Sequence, residues 1–383
     1  MNQIFANMNP PLTREMTRRI QTMSGVISLA QGSPPSSMTP QFLKEAAAQA
    51  IMEGYNQYTK NSYGYPPLMV LLAQLCSKEF DCSLTPENFV IGAGATGCLH
   101  SSLGAILQPG DRVAVIYPAW EFGSLVREWG GQVVPIITNG SHGFLPVPDE
   151  IRNATKGCKA IIVNSLHNPT GRLYPADLLE AIAEIAIEND LLVINDETYN
   201  RIIFDGNTYF GLANIATIRD RLITVRGFSK VFAIAGWRVG YAVAPQKIMA
   251  VIRKANDCSI LCAPAPFQVA ITNFLENTGN YFMEMPAIYQ QRRDVMAYLL
   301  KNMGLNPLHA DGTYYMFVSY DGISSLGSLE FVEQILQRAK VAVLPAAAFL
   351  PAGVDMPFFR VCFASEEAMA RDAADRLQQF IKG

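Results

Sequence analysis

The sequence has few of the features that mark secreted, membrane-bound or nucleic-acid-binding proteins. It contains only four histidines and its net charge is −3. It has neither a basic, apolar leader at its N-terminus nor a run of about 18 apolar residues. Its balanced charge offers no electrostatic footprint for nucleic acid or for an acidic membrane surface. We therefore expect a protein that binds small molecules, with no nucleic-acid partner and no membrane partner.

The cysteines are too scattered to predict a disulfide framework or a metal centre. There are seven, an odd number, and their spacing forms neither a Cys-x-x-Cys pair nor a cluster with histidine. This pattern favours a reducing compartment. We therefore predict a cytoplasmic protein without a metal site.

Hydrophobic residues are abundant, and their pattern alternates along the first two thirds of the chain. Half of the 383 residues are hydrophobic, enough to build two or three domains. Short β-rich runs alternate with helical stretches such as Ala176–Glu188, which predicts an α/β fold with a mostly parallel sheet covered on both faces. The runs predicted as strands are residues 89–91, 112–116, 133–137, 160–163, 191–194, 222–225 and 239–243.

The pattern changes beyond about residue 245, where long helical stretches are followed by short strands and a closing helix. This change predicts a second, smaller α+β domain. Its predicted helices are residues 248–256, 267–300 and 366–381, and its predicted strands are residues 313–318, 341–344 and 359–363. We divide the chain into an N-terminal arm with part of the small domain (1–40), a large domain (41–275) and a C-terminal small domain (276–383).

Two charged residues directly follow predicted strands, which is where parallel sheets bind their ligands. Lys230 follows the strand at 222–225 between apolar neighbours, so burial would lower its pKa and free its amine as a nucleophile. A lysine is more often simply exposed. Asp196 follows the strand at 191–194 and would need a cationic partner there, such as a protonated pyridine nitrogen. It could instead cap a helix.

Three further segments place polar or small residues near such strand ends. Asn168 lies in the turn sequence His-Asn-Pro-Thr-Gly, and its amide could donate to a phenolate oxygen or serve only the turn. Residues 94–96 begin an apolar helix, where backbone N–H groups can bind a phosphate. Arg238 follows Lys230 by eight positions, and its guanidinium can bind a phosphate or pair with a surface acid.

Together these segments resemble the fold-type I, class I/II aminotransferase family, whose cofactor is pyridoxal 5′-phosphate (PLP). The segments Asn-Pro-Thr-Gly at 168–171, Asp-x-x-Tyr at 196–199 and Ser-Lys-(x)7-Arg-x-Gly at 229–240 follow the family's order. The resemblance extends over about residues 32–364. It implies a PLP-dependent transferase of fold type I, with a mostly parallel seven-stranded sheet flanked by helices and a smaller α+β domain.

The resemblance also implies a role for each matching residue. Lys230 would form a Schiff base with PLP and then move the substrate's proton. Asp196 would pair with the pyridine nitrogen, and Tyr199 and Asn168 would bind the ring oxygen O3′. The residues implied to stack on the ring or to bind the phosphate are Trp120, Gly94, Ala95, Thr96, Ser229, Arg238 and, from the neighbouring subunit of a homodimer, Tyr58.

The substrate carboxylate is assigned to an arginine near the C-terminus. Arg360 lies in the apolar sequence Phe-Phe-Arg-Val, where a buried guanidinium needs an anionic partner. A carboxylate fits its planar fork. The resemblance implies that Arg360 binds the substrate α-carboxylate, with Gly32 and Asn168 beside it.

Four positions depart from the family's pattern. Gly227 stands where the family usually has a Ser or Thr that contacts phosphate, and the neighbouring Arg226 could compensate. Ala346 and Leu350 stand where glycines are common near the substrate. Thr96 occupies a position where some aspartate-selective relatives carry a lysine, and this disfavours an acidic substrate side chain.

The resemblance implies an aminotransferase, which moves an amino group between an L-amino acid and a 2-oxo acid. A same-fold β-lyase, oxidase or cyclase shares Lys230, Asp196 and Arg360, so these motifs leave that alternative open. A PLP-sensing regulator would need an N-terminal DNA-binding extension. Since Gly32 already belongs to the enzyme pattern, we do not expect one.

Overall fold

The computed structural model describes residues 3–30 and 32–383. Its strands are β1 (Ile27–Ser28), β2 (Phe89–Ala93), β3 (Arg112–Tyr117), β4 (Gln132–Ile137), β5 (Ala160–Asn164), β6 (Leu192–Asp196), β7 (Leu222–Gly227), β8 (Val239–Val243), β9 (Asn306–Pro307), β10 (Tyr315–Ser319), β11 (Val341–Ala342), β12 (Leu344–Pro345) and β13 (Phe358–Cys362). Its helices are α1 (Gln3–Asn7), α2 (Leu12–Gln21), α3 (Gln41–Met52), α4 (Pro66–Phe80), α5 (Gly94–Ile106), α6 (Phe122–Glu128), α7 (Pro148–Ala154), α8 (Ala176–Glu188), α9 (Phe228–Val231), α10 (Gln246–Ile260), α11 (Ala265–Glu276), α12 (Tyr281–Asn302), α13 (Ser328–Gln334) and α14 (Glu367–Lys382).

The seven runs predicted as strands between residues 89 and 243 form one sheet, in the order β2-β8-β7-β6-β5-β3-β4. The pairs from β7 to β4 are parallel, and β8 is antiparallel to both β2 and β7. Along β3, Val113 and Val115 belong to one hydrophobic core, whereas Ala114 and Ile116 belong to the other. Both faces of the sheet are therefore covered, which confirms the predicted mostly parallel α/β fold.

The strand directions bring the chemically active segments to one edge of this sheet. Since β2 and β7 are both antiparallel to β8, they run in the same direction. The carboxyl ends of β2, β3, β4, β5, β6 and β7 therefore lie at one edge, together with the amino end of β8. That edge collects the residues after six strands and Arg238, which precedes β8.

A second, antiparallel sheet has the order β12-β13-β10-β9, and it places Arg360 of β13 opposite Phe317 and Leu344. The strand predicted at 341–344 is two strands, because β11 pairs with β1 of the N-terminal arm whereas β12 pairs with β13. The helix predicted at 267–300 is also two, α11 and α12. Gly279, with φ of +51°, lies in the break between them.

Within residues 3–30 and 32–383, no helix combines the length and the apolar composition needed to cross a membrane.

Candidate active site

A cavity of about 260 Å³ lies at the sheet edge where these strand ends meet. It is lined by residues from the β-strand ends, from α2 and from the second sheet. The sequence-predicted residues that line it are Gly32, Ala95, Thr96, Trp120, Asn168, Asp196, Tyr199, Ser229, Lys230, Arg238 and Arg360. The structure therefore brings together segments that are far apart in the chain.

Lys230 lies in α9, which directly follows β7. Its Nζ donates a hydrogen bond to the backbone carbonyl of Gly32. The pKa of Lys230 is lowered to about 8, mainly because of burial and next because of the positive charge of Arg360. A lowered pKa leaves a larger fraction of the amine unprotonated, and the unprotonated amine is the nucleophile.

Asp196, at the carboxyl end of β6, is buried and lacks a cationic partner among the described residues. Its Oδ1 accepts two bonds from Thr198, from the backbone N–H at 3.0 Å and from the hydroxyl at 2.5 Å. Asn164 donates to its backbone carbonyl at 2.9 Å. Burial raises the pKa of Asp196, and the hydrogen bonds of Thr198 oppose that rise. A cationic ring nitrogen placed against the carboxylate would stabilise its ionised form.

The bonds from Thr198 also bear on the alternative that Asp196 is a helix cap. No helix begins directly after Asp196, so these bonds close a turn rather than cap a helix. Both go to Oδ1. Within residues 3–30 and 32–383, no donor is bonded to Oδ2, which therefore remains available to a ligand in the cavity.

The N-terminus of α5 lies against Arg238. A Cβ atom on Gly94, which begins α5, would lie 2.7 Å from Nη2 of Arg238, and one on Gly240 would lie 2.6 Å from the backbone N of Ala95. Only glycine at both positions allows this close approach. Arg238 donates to the carbonyl of Ala93 at 3.0 Å, and no acid within the described ranges pairs with it. The helix terminus and the guanidinium therefore form a site for an anion.

Arg226 does not compensate for Gly227. Its Nε donates to Glu197 and its Nη2 to Glu79, each at 2.7 Å, and it does not line the cavity. The expectation of a phosphate contact from Arg226 was therefore wrong. Because Glu197 follows Asp196 directly, this buried network ties the end of β6 to the end of β7.

Arg360 is buried and has no carboxylate partner within residues 3–30 and 32–383. Its Nη1 donates to Oδ1 of Asn168 at 2.9 Å, and its guanidinium lies 3.8 Å from the ring centroid of Tyr315. Its Nε is buried without a hydrogen-bond partner. Burying an unpaired guanidinium is costly, so this arrangement fits an arginine whose partner is a bound carboxylate.

Tyr199 packs against two other tyrosines beside this arginine. Its ring lies edge-on to Tyr314 and Tyr315, with centroids 5.5 and 5.9 Å apart. Burial raises the pKa of Tyr199 well above its ordinary value. The phenol therefore stays protonated and can donate a hydrogen bond into the cavity.

Two predicted residues do not line this chain's cavity. Gly94 begins α5, and its lack of a side chain leaves room for the guanidinium of Arg238. Tyr58 lies on the segment between α3 and α4, and it is 74% exposed. The cavity of one chain is thus formed without Tyr58.

Several residues that line the cavity were not among the predicted site residues. Two of them could have been found from the sequence. Asn164 ends β5, and Thr198 belongs to an Asp-x-Thr turn at the end of β6. The residues of α2 could not, because their approach depends on tertiary packing. The additional lining residues are Thr13, Arg14, Thr17, Ala30, Leu99, Glu121, Asn164, Thr198, Ala235, Tyr315 and Leu344.

The cavity has a complementary group for each functional group of PLP. The anion site at α5 suits its phosphate, the carboxylate of Asp196 suits its basic ring nitrogen, and the amine of Lys230 suits its aldehyde. The unpaired Arg360 remains for a carboxylate of the substrate. The residues present therefore fit this cofactor.

Comparisons with known proteins agree with the site. The family described as aminotransferase class I and II matches residues 24–377. The aspartate/prephenate aminotransferase of Thermus thermophilus is 33% identical and covers 93% of this chain and 91% of that protein. The aspartate aminotransferase of Pyrococcus abyssi is also 33% identical, over 98% of this chain and 96% of its own.

A solved structure of aspartate aminotransferase from Thermus thermophilus with maleate superimposes with a TM-score of 0.92 at 31% identity, and covers 99% of both chains. These matches confirm fold type I, PLP as the cofactor, and an enzyme that uses amino acid and 2-oxo acid substrates. The chain therefore belongs to the aminotransferase class I and II family.

Proposed function

We propose that Lys230 carries PLP as a Schiff base and that this cavity is where the enzyme transfers the amino group of an L-amino acid. The observation that carries the proposal is the shared cavity, which holds a lysine of lowered pKa, the buried Asp196 and the unpaired Arg360. An amine, a ring-nitrogen partner and a carboxylate clamp are the three groups that this chemistry needs from the protein.

When bound, PLP takes up the electron pair released at the substrate's Cα. The residues of the chain provide binding and proton transfer. The free amine of Lys230 would accept the proton from the substrate's Cα and deliver it to C4′ of the cofactor, because its lowered pKa raises the fraction of the amine that is unprotonated. Asp196 holds a proton on the ring nitrogen.

The other assigned residues bind and orient the cofactor and the substrate. With the cofactor bound, Tyr199 and Asn168 would donate to its ring oxygen, and Trp120 would stack on its ring. Arg360, with Gly32 and Asn168 beside it, fixes the substrate carboxylate and so the direction of the Cα–H bond. The phosphate is assigned to the N-terminus of α5 and to Gly94, Ala95, Thr96, Ser229 and Arg238.

The test of this function is an absorption spectrum of the PLP-loaded protein during addition of single amino acids and then of 2-oxo acids. We expect the Schiff-base band to convert to the pyridoxamine form with some amino acids and to return with 2-oxo acids. A band that never converts, together with keto-acid release that needs no acceptor, would support a lyase or oxidase instead.

The rate at which cofactor-free protein captures PLP should rise with pH through a midpoint of about 8. Only the unprotonated amine attacks an aldehyde, and the pKa of Lys230 is lowered to about 8. Stopped-flow absorbance of the forming Schiff base measures this rate, and the exposed Lys247→Ala serves as the matched control. A midpoint near the ordinary lysine value of about 10.4 would contradict a buried amine.

We further propose a homodimer in which Tyr58 reaches the phosphate in the neighbouring subunit. Its 74% exposure and its absence from the lining of its own chain's cavity support this. Light scattering should give twice the chain mass of 42.1 kDa. Tyr58→Phe should weaken PLP binding about tenfold, since a hydrogen bond to a charged group is lost.

The matched control for this change is Tyr298→Phe, at a tyrosine of α12 that is 65% exposed, and this change should leave PLP affinity unaltered. A monomer in solution, or an unchanged dissociation constant for PLP in Tyr58→Phe, would contradict the shared site.

We also propose the domain limits 1–40, 41–275 and 276–383. We further propose a cytoplasmic location, which the seven free cysteines support.

A further inference from the structure

The charged residues that line the cavity leave one pair without a partner in the cofactor or in the substrate's amino-acid core. Within residues 3–30 and 32–383, these charged lining residues are Arg14, Glu121, Asp196, Lys230, Arg238 and Arg360. The proposed function gives every one of them a partner except Arg14 and Glu121. By elimination, these two lie where the substrate's side chain is accommodated.

Glu121 is held by two donors from α2. The Arg14 guanidinium lies 2.9 Å from its Oε2, and the Thr13 hydroxyl donates to its Oε1. Each carboxylate oxygen thus has its own donor. The Glu121 side chain is only 9% exposed, whereas that of Arg14 is 65% exposed. The two charges neutralise each other at the wall of the cavity.

Both residues of the pair lie on segments that contact other parts of the protein. Glu121 directly follows Trp120 and precedes α6. On the other side, α2 is anchored by the buried Met16 and by an ion pair between Arg19 and Glu333 of α13. The helix therefore spans from the edge of the large sheet to the C-terminal part of the chain.

We propose that the Arg14–Glu121 pair sets the side-chain specificity, so that the enzyme takes amino acids with uncharged side chains and rejects dicarboxylic and basic ones. This inference rests on the proposed function and specifies its amino donor. A distal carboxylate would have to displace Glu121 from Arg14 and would lie beside a like charge. A distal ammonium group meets the same obstacle at Arg14. The other lining residues to which the proposed function gives no partner include hydroxyl and aliphatic groups, namely those of Thr13, Thr17, Leu99 and Leu344.

The test compares leucine, glutamate and lysine as donors for the PLP-loaded enzyme. In the wild type, kcat/KM for leucine should exceed that for the other two by at least about tenfold, since a distal carboxylate would lie beside the like charge of Glu121 and a distal ammonium group beside that of Arg14. Glu121→Gln releases Arg14 and should raise the glutamate-to-leucine ratio of kcat/KM by about tenfold or more, mainly through KM. Arg14→Gln should raise the lysine-to-leucine ratio by a similar factor.

Binding of unreactive carboxylates gives a readout that does not depend on turnover. Calorimetry of the PLP-loaded protein should show that Glu121→Gln binds succinate about tenfold more tightly than the wild type does, relative to 4-methylpentanoate. Arg14→Gln changes only an exposed side chain, so it keeps the test valid if Glu121→Gln fails to fold.

The matched control is Glu128→Gln, which removes a glutamate of α6 that pairs with His100 and does not line the cavity. It should leave the donor ratios unchanged. The inference is overturned if the wild type prefers glutamate or lysine, or if both variants alter all three donors by one factor, as loss of a purely structural anchor would. If no donor yields a 2-oxo acid in any variant, the proposed function itself fails. If transamination is intact but the donor ratios of the two variants equal those of the wild type, only this inference fails.

Discussion

Replacing Lys230 by alanine should lower kcat for transamination by about 10⁴-fold or more, because one amine provides both the covalent link to PLP and the proton transfer at Cα. No other lysine lines the cavity among the described residues, so no neighbour can substitute. Borohydride reduction followed by peptide mass analysis should locate the PLP label on Lys230 in the wild type. The same treatment should find no label in the variant.

Lys230→Arg separates the role of the amine from that of its charge. Arginine keeps the positive charge but cannot deprotonate, so this variant should be as inactive as Lys230→Ala. Lys247→Ala, at an exposed position on α10, should retain full activity and full labelling. Substantial turnover in either Lys230 variant, or a PLP label on another residue, would exclude Lys230 as the nucleophile.

The large sheet was predictable because each strand carries its own local signal. Fully apolar runs such as residues 160–163 need burial on both faces, and the structure buries every residue of that strand, Ala160–Asn164. The reversed direction of β8 was not predictable, because the composition of a strand does not determine whether it pairs parallel or antiparallel to its neighbours. The division of residues 341–344 also escaped prediction, because it depends on pairing with β1, more than 300 residues earlier in the chain.

The candidate site was predictable where the chemistry sits beside a strand end. Lys230, Asp196 and Asn168 follow strands whose carboxyl ends meet at one edge, so their convergence follows from the parallel topology. The contact between Arg14 and Glu121 joins residues 107 positions apart and has no local pattern. For Arg226, position in the sequence was misleading. It lies beside the motif, which suggested a phosphate contact, but it forms ion pairs with Glu79 and Glu197 instead.

Replacing Arg360 by glutamine should lower kcat/KM for amino acids by about 10²- to 10³-fold, mainly by raising KM. The guanidinium is buried, is hydrogen-bonded to Asn168 and has no acid partner within residues 3–30 and 32–383, so a bound carboxylate is the partner that it lacks. Arg360→Lys keeps a charge but loses the planar fork, and should recover only part of the loss. Initial rates with amino acids measure both effects.

Simple amines, which resemble the substrates but lack the carboxylate, give the decisive comparison for Arg360. They should be poor donors for the wild type and nearly equally poor for Arg360→Gln, because the interaction that the change removes is absent from them. Arg293 is the matched control. It is equally buried but is paired with Asp205 and lies outside the cavity, so Arg293→Gln should lower Tm rather than change the ratio of amino acid to amine. If Arg360→Gln slowed both kinds of donor by the same factor, Arg360 would support the fold of the site and not bind the carboxylate.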